Sequence, residues 1–307
     1  MTKELNIGIV GLGTVGSGVI KSIEKNEEYF KSNYDVKFNI LGISANSKNK
    51  KRSFNVDLYR WFDNPLKLIS ETKIDTIIEL VGGEDGLAYQ LAIKSLKNKM
   101  NFITANKALI SKHGEELALL SEENDNFFGF EASVAGGIPI IKTLKESIIL
   151  SEIQKIFAIL NGTSNYILSN MSKSQITFEE ALRDAQEKGY AEADPTLDIN
   201  GEDSAHKLSI LNSIIFSEIP SVESIYISGI ESIELIDHHY SSDFGYNIRL
   251  IAQSAISDEG VYKEVTPMLV DKTSSLGRVD GANNIIKIIG QASGDVVLEG
   301  QGAGEGP

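Results

Sequence analysis

A β-rich run, Leu5 to Val10, passes directly into Gly11-Leu12-Gly13-Thr14-Val15-Gly16. From Thr14 to Lys25 the apolar residues Val15, Val19 and Ile23 recur at helical spacing. A glycine triplet of this spacing, closing a strand and opening a helix, constrains the fold more than any other stretch of the chain. Gly11 allows the tight turn, Gly13 lets a pyrophosphate approach the backbone, and Gly16 lets the helix pack closely on the strand. Gly13, Thr14, Val15 and Gly16 then lie at a helix N-terminus, the positive end of its dipole, which attracts phosphates. The alternative is a glycine-rich turn without a ligand. Its place in the first strand–helix unit favours the dinucleotide site.

The alternation continues. Phe38 to Ser44, Asp75 to Val81, Asn101 to Ala105 and Phe127 to Glu131 are strand-like, while Leu87 to Lys97 and Lys107 to Glu122 are helix-like. This predicts an α/β chain whose residues 1–132 form a parallel, doubly wound Rossmann NAD(P)-binding domain. After Val134 the pattern changes. Ile138 to Leu150 reads as a helix with Pro139 in its first turn, and Ile153 to Leu160 as a strand. Thr177 to Lys188 is a helix with a capping box at Thr177 and Glu180 and a stop at Gly189. Glu202 to Phe216 is a long amphipathic helix. Strand-like runs follow at Tyr246 to Ile256, Val261 to Val265, Asn284 to Ile289 and Val296 to Leu298. These predict a second, α+β domain over residues 133–300 and a glycine-rich tail over residues 301–307. No repeat or low-complexity linker lies between the domains.

Composition removes several classes of function. A net charge of -14 argues against a nucleic-acid partner. The absence of cysteine excludes disulfides, thiolate metal sites and aldehyde oxidation through a thiohemiacetal. His113, His206, His238 and His239 lack zinc-site spacing. No apolar run reaches the about 20 residues of a spanning helix, and the start has no signal core. The expected partner is a small molecule, with no nucleic acid and no membrane, and the expected compartment is the cytoplasm.

Cofactor choice turns on the end of the second strand. NAD-binding domains place a carboxylate there for the ribose 2′-hydroxyl. Here the strand ends Gly42-Ile43-Ser44-Ala45-Asn46-Ser47, without one, and Lys48, Lys50, Lys51 and Arg52 follow. A local basic cluster in an acidic chain suits a 2′-phosphate and so favours NADP(H), with NAD(H) possible. A solvated lysine loop is the alternative.

Four longer segments carry a family resemblance. They are Thr104-Ala-Asn106-Lys107, Phe130-Glu131-Ala-Ser-Val134-Ala-Gly136-Gly-Ile138-Pro, Leu160-Asn161-Gly-Thr163-Ser-Asn165, and Gly189-Tyr-Ala-Glu192-Ala-Asp194-Pro-Thr-Leu-Asp198 running on to Asp203 and Lys207. With the glycine fingerprint and the tail through Gly304, the chain resembles homoserine dehydrogenase over essentially its whole length. That resemblance implies reversible reduction of L-aspartate 4-semialdehyde to L-homoserine, in threonine, methionine and isoleucine biosynthesis, by a homodimer. It assigns cofactor contact to Gly11, Gly13, Thr14, Val15, Gly16, Asn106, Lys107 and Gly304. It assigns substrate contact to Glu192, Asp198, Lys207 and Thr163, with Lys207, Lys107 and Asp203 in the chemistry. It places a monovalent cation such as sodium on Glu131, Val134, Gly136 and Ile138, mainly through carbonyl oxygens.

The residues also have a physical reading. Asp203 and Lys207 are four apart and share a helix face, which alone indicates no more than an ordinary ion pair. Glu192, Asp194 and Asp198 crowd one short segment, and carboxylates so dense repel unless something cationic binds, such as an α-ammonium group. Lys107 stands at a helix start, where a cation is disfavoured without a reason. Which lysine gives the proton stays open. So do two rivals: a different Rossmann-type oxidoreductase, and a cofactor-binding protein without activity. The second draws on the sequence ending at Gly304-Glu-Gly306-Pro307, where the family continues into a threonine- and alanine-rich helix. On that reading the chain is a short form without a regulatory ACT domain.

Overall fold

The computed structural model describes residues 2–304 and 306; Glu305 and Pro307 of the predicted tail lie outside the described residues. The chain divides into two compact units. One runs to Ser133 and includes Gly304 and Gly306, and the other covers Val134–Ala303.

The first unit has β1 (Lys3–Val10), α1 (Thr14–Lys25), α2 (Glu27–Tyr34), β2 (Val36–Ser44), α3 (Leu66–Glu71), β3 (Thr76–Glu79), α4 (Leu87–Lys97), β4 (Asn101–Thr104), α5 (Lys107–Asn124) and β5 (Phe128–Gly129). Its five strands are all parallel, in the order β2-β1-β3-β4-β5. The strands are apolar on both faces, as a doubly covered sheet requires. Ile77 and Phe102 enter one layer with Leu91 and Leu96 of α4 and Leu109 and Leu117 of α5. Ile78 and Ile103, one residue on, enter the other layer with Ile20 and Ile23 of α1. Strand order reverses between β1 and β3, and ligands of such sheets bind at the carboxyl edge of that switch point.

The second unit has α6 (Ile140–Lys142), β6 (Ile153–Ile159), α7 (Gly162–Ser174), α8 (Phe178–Glu187), α9 (Thr196–Ile199), α10 (Glu202–Phe216), β7 (Tyr226–Ile227), α11 (Leu235–Asp243), β8 (Tyr246–Ser257), β9 (Gly260–Asp271), α12 (Ser275–Arg278), β10 (Asn283–Gly290) and β11 (Gly294–Gln301). Its six strands run β11-β10-β6-β8-β9-β7, antiparallel except for β7 beside β9. α7, α10 and α11 all pack on β8. Among the described residues no helix is long and apolar enough to cross a membrane.

The structure departs from the sequence reading at several elements, among them α2, α11 and the longer β9, and two departures bear on the argument. Ile138 to Leu150 is not one helix: α6 is a single turn after Pro139, and Thr143–Ser147 is a π turn. The Thr143 hydroxyl donates to the Pro139 carbonyl at 2.7 Å, and the Ile148 N–H reaches back five residues to the Thr143 carbonyl at 3.1 Å. Threonine back-bonding and a five-residue hydrogen bond both break the regular ladder. The second difference is α7, which the sequence pattern does not announce. Its buried face carries Thr163, Ser164, Asn165 and Ser169 beside Ile167, Leu168 and Met171, so small polar residues blur the apolar stripe.

Candidate active site

The fingerprint loop is shaped by what its glycines leave out. Gly11 has φ +98°, and a Cβ there would run into the Leu80 carbonyl group at the end of the neighbouring strand. A Cβ on Gly16 would strike the Gly11 carbonyl oxygen, so α1 rests directly on the loop. At Gly13 the space is open, with no atom within 4 Å of a built Cβ. Gly13 is the N-cap of α1, makes no side-chain cap, and is followed by a first turn without an acidic residue, with Thr14 and Val15 exposed. Open space over uncapped helix N–H groups fits a dinucleotide pyrophosphate.

The basic run after β2 divides into two kinds of residue. Arg52 is half-buried, and its guanidinium donates to the carbonyls of Ser47 (2.7 Å), Lys50 (2.9 Å), Lys48 (3.2 Å) and Leu12 (3.3 Å). It also lies 5.7 Å from the centre of the Trp61 ring. Arg52 is thereby tied to the fingerprint loop itself through Leu12. Lys48 pairs with Asp57 at 3.1 Å in solvent, and Lys50 and Lys51 are exposed.

The carboxyl edge of β3 and β4 is held by a buried network. Asn106 caps α5, accepting the Leu109 N–H at 3.1 Å, and its amide donates to the Gly83 carbonyl at 2.6 Å. Lys107 is the first residue of α5 and is half-buried. Behind them stands Glu79, which sequence reasoning passed over as one residue of the strand-like run Asp75 to Val81. Its carboxylate accepts from the Val81 and Gly82 N–H groups and from the Thr104 hydroxyl.

In the second unit the predicted residues converge. Lys207 Nζ donates to Asp203 Oδ2 and to the Leu160 carbonyl, both at 2.7 Å. The same Asp203 oxygen accepts from Asn161 Nδ2 at 2.8 Å, and that amide also reaches Asp198 Oδ1 at 2.6 Å. Asn161 Oδ1 accepts the Ser164 N–H at 2.7 Å and so caps α7. Asn161 is therefore a site residue that sequence reasoning quoted in a motif but left without a role. Its N-cap position before Gly162 was the available signal. Thr163 donates to the Tyr190 carbonyl at 2.6 Å, fixing the loop that leads to Glu192. Glu192 is exposed, and its carbonyl accepts from Gln186 at 3.1 Å.

The predicted crowding of carboxylates is relieved locally. Asp194 accepts from the Thr196 hydroxyl (2.6 Å) and N–H (3.2 Å), which hold its carboxyl below the usual range, and Asp198 faces the Asn161 amide. The same loop is braced from behind. Tyr166 donates to Asp184 at 2.5 Å, Lys188 donates to both at 2.8 and 2.9 Å, and the Tyr166 ring lies 4.6 Å from that of Tyr190.

Glu131 opens the 3-10 turn Glu131–Ser133 that ends the first unit's main span. In the second unit Val134 and Ile138 are buried, Gly136 has φ +39°, and Ala135 adopts φ +53°. Among the described residues no group of three or more histidine, aspartate or glutamate side chains could hold a metal ion.

Comparison with known proteins identifies the family. Residues 11–131 match the family model described as homoserine dehydrogenase, NAD binding domain, and residues 139–307 match that described as homoserine dehydrogenase. The homoserine dehydrogenase of Helicobacter pylori is 41% identical over 307 residues, covering 100% of this chain and 72% of its own length. The crystal structure of a homoserine dehydrogenase from Thiobacillus denitrificans superposes with a TM-score of 0.93 at 35% identity, over 99% of this chain and 70% of that one. A hyperthermophilic archaeal homoserine dehydrogenase mutant, in complex with NADPH, superposes with a TM-score of 0.83 at 26% identity, over 99% of this chain and 93% of that one. These matches do not favour either rival, a different Rossmann oxidoreductase or an inactive cofactor-binding protein. The chain belongs to the homoserine dehydrogenase family.

Proposed function

We propose that the chain interconverts L-aspartate 4-semialdehyde and L-homoserine using NADP(H), with Lys207 as the proton donor to the developing alkoxide. Homoserine dehydrogenases are NAD(P)-dependent oxidoreductases acting on a small molecule, and this membership carries the reaction class. The observation that carries the assignment to Lys207 is its side chain, only 14% exposed, with the ammonium held between the Asp203 carboxylate and the Leu160 carbonyl. An ammonium so anchored presents its remaining hydrogen in one direction, which is what positioned acid catalysis requires. Lys107 is the competing donor.

The fingerprint residues Gly11, Gly13, Thr14, Val15 and Gly16, with Asn106, Lys107 and Gly304, would hold the cofactor. When bound, the nicotinamide supplies or accepts the hydride. NADP preference rests on Arg52, whose tie to the Leu12 carbonyl brings a fixed guanidinium to the fingerprint loop. Glu192, Asp198 and Thr163 line the substrate side, with exposed Glu192 suited to an α-ammonium group. The carbonyls of Val134, Gly136 and Ile138, with Glu131, would hold a monovalent cation, for which hard oxygen donors are suited. A homodimer is supported by exposed Val297, Tyr262 and Tyr226, which share one face of the six-stranded sheet.

The test is substrate choice in the reductive direction. NADPH oxidation is followed with L-aspartate 4-semialdehyde and with a panel of other small aldehydes, and the product is identified by chromatography. Homoserine formed in clear preference supports the reading. Equal or better turnover of unrelated aldehydes would discard it.

A further inference from the structure

Glu79 closes β3 with none of its surface exposed. Its two oxygens serve two different loops. Oε1 accepts the N–H of Val81 at 2.6 Å and of Gly82 at 3.1 Å, and Oε2 accepts the Thr104 hydroxyl at 2.6 Å. The Thr104 hydroxyl accepts the Asn106 N–H at 2.9 Å, and the Asn106 amide returns to the Gly83 carbonyl at 2.6 Å. A closed ring of hydrogen bonds thus ties the loop after β3 to the start of α5, at the switch point of the sheet.

The three donors to Glu79 are uncharged. No cation is among these donors, and in a low-dielectric surround the field of the carboxylate reaches a ligand at the adjoining edge. A nicotinamide ring is cationic when oxidised and neutral when reduced. We propose that Glu79 is a positioning residue that locks these two loops together and biases this edge toward the oxidised cofactor. The proposal rests on the reading above that Asn106 and Lys107 meet the nicotinamide.

Two substitutions separate the two roles. Glu79→Gln keeps size and an acceptor for Val81 and Gly82 but removes the charge. Thr104→Val keeps the charge but cuts the relay to Asn106. Binding of oxidised NADP and of NADPH is measured by fluorescence titration, beside steady-state kinetics with homoserine. In Glu79→Gln the Kd for oxidised NADP should rise about tenfold and that for NADPH about twofold or less. In Thr104→Val the ratio of the two Kd values should stay at the wild-type level. Its kcat should fall about tenfold with the homoserine KM changed less than about twofold, and Thr104→Ser should restore it.

Equal weakening of both nucleotides in Glu79→Gln overturns the proposal, as does a ratio shifted as far by Thr104→Val as by Glu79→Gln. Should Glu79→Gln fail to fold, Glu79→Asp keeps the charge on a shorter arm. It should retain the wild-type ratio with a reduced kcat, and a shifted ratio there overturns the proposal. A wild-type chain that binds neither nucleotide overturns the cofactor reading itself. One that binds both, with a ratio indifferent to Glu79, overturns only this inference.

Discussion

Lys207 and Asp203 stand one turn apart on α10, their ammonium and carboxylate 2.7 Å apart with 14% and 8% of the side chains exposed. An exposed pair at this spacing contributes a few tenths of a kcal/mol, and burial raises the stakes for either partner left alone. The pair is also aimed, because Leu160 and Asn161 hold its two ends. Lys207→Ala should therefore lower kcat by about 10²- to 10⁴-fold. Lys207→Arg should rescue poorly, because a guanidinium does not release its proton. The same substitutions at Lys107 are measured alongside. A large kcat loss at Lys107, with only a KM effect at Lys207, would reverse the two roles.

Asn161 joins the cap of α7 to both Asp198 and Asp203. Asn161→Ala removes a cap, worth about 1 kcal/mol, and strips two carboxylates of a buried donor, worth a further about 1–3 kcal/mol. The melting temperature should fall by several degrees, and homoserine turnover should fall with it. Asn161→Asp keeps the cap but sets a third carboxylate against the other two. It should melt no higher than Asn161→Ala and lose activity at least as severely. If both variants keep wild-type kinetics, the bridge has no part in the site.

Arg52 and the lysines around it should separate in a cofactor test. Arg52→Gln should weaken NADPH binding much more than NADH binding, since only NADPH carries the 2′-phosphate. Lys48→Gln should change the ratio little, because Lys48 already faces Asp57 in solvent. Equal losses for the two cofactors in Arg52→Gln would leave Arg52 as a loop staple.

Acid stability should carry the signature of His238. Burial and then the Arg249 guanidinium push its pKa down from 6.5 to about 4, against an upward pull from Asp237, and His239 adds a smaller downward push. In the unfolded chain it protonates near 6.5, and in the folded chain only near 4. Folding is thus unaffected by this group above pH 6.5 and loses about 3 kcal/mol as pH falls from 6.5 to 4, with no further loss below. His238→Gln should flatten that arm of the stability profile, measured by denaturant unfolding. An unchanged slope between those pH values would count against a buried neutral imidazole.

Much of the frame was legible in the sequence because it rests on local pattern. The glycines at 11, 13 and 16 announce strand, turn and helix together, and the Asp203–Lys207 spacing already puts both on one face. The parts that were not legible depend on long-range pairing. The Asn161 amide finds its carboxylates 37 and 42 residues away, and Thr104 meets Glu79 across 25 residues. Neither partnership leaves a periodic trace. The crowding of Glu192, Asp194 and Asp198 is eased at Asp194 by a local bond, since Thr196 satisfies it within its own turn. In α7 serine, threonine and asparagine interrupt the buried apolar stripe, and pattern reading treats them as loop.

The most direct test is oxidation of L-homoserine by the purified chain with oxidised NADP, followed through the absorbance of the reduced nicotinamide, beside Lys207→Ala and a control without homoserine. Steady reduction that requires homoserine, together with a loss of at least about a hundredfold in Lys207→Ala, is the expected result. No homoserine-dependent reduction with either NADP or NAD, from about pH 7 to about pH 10 across the lysine range, would contradict it.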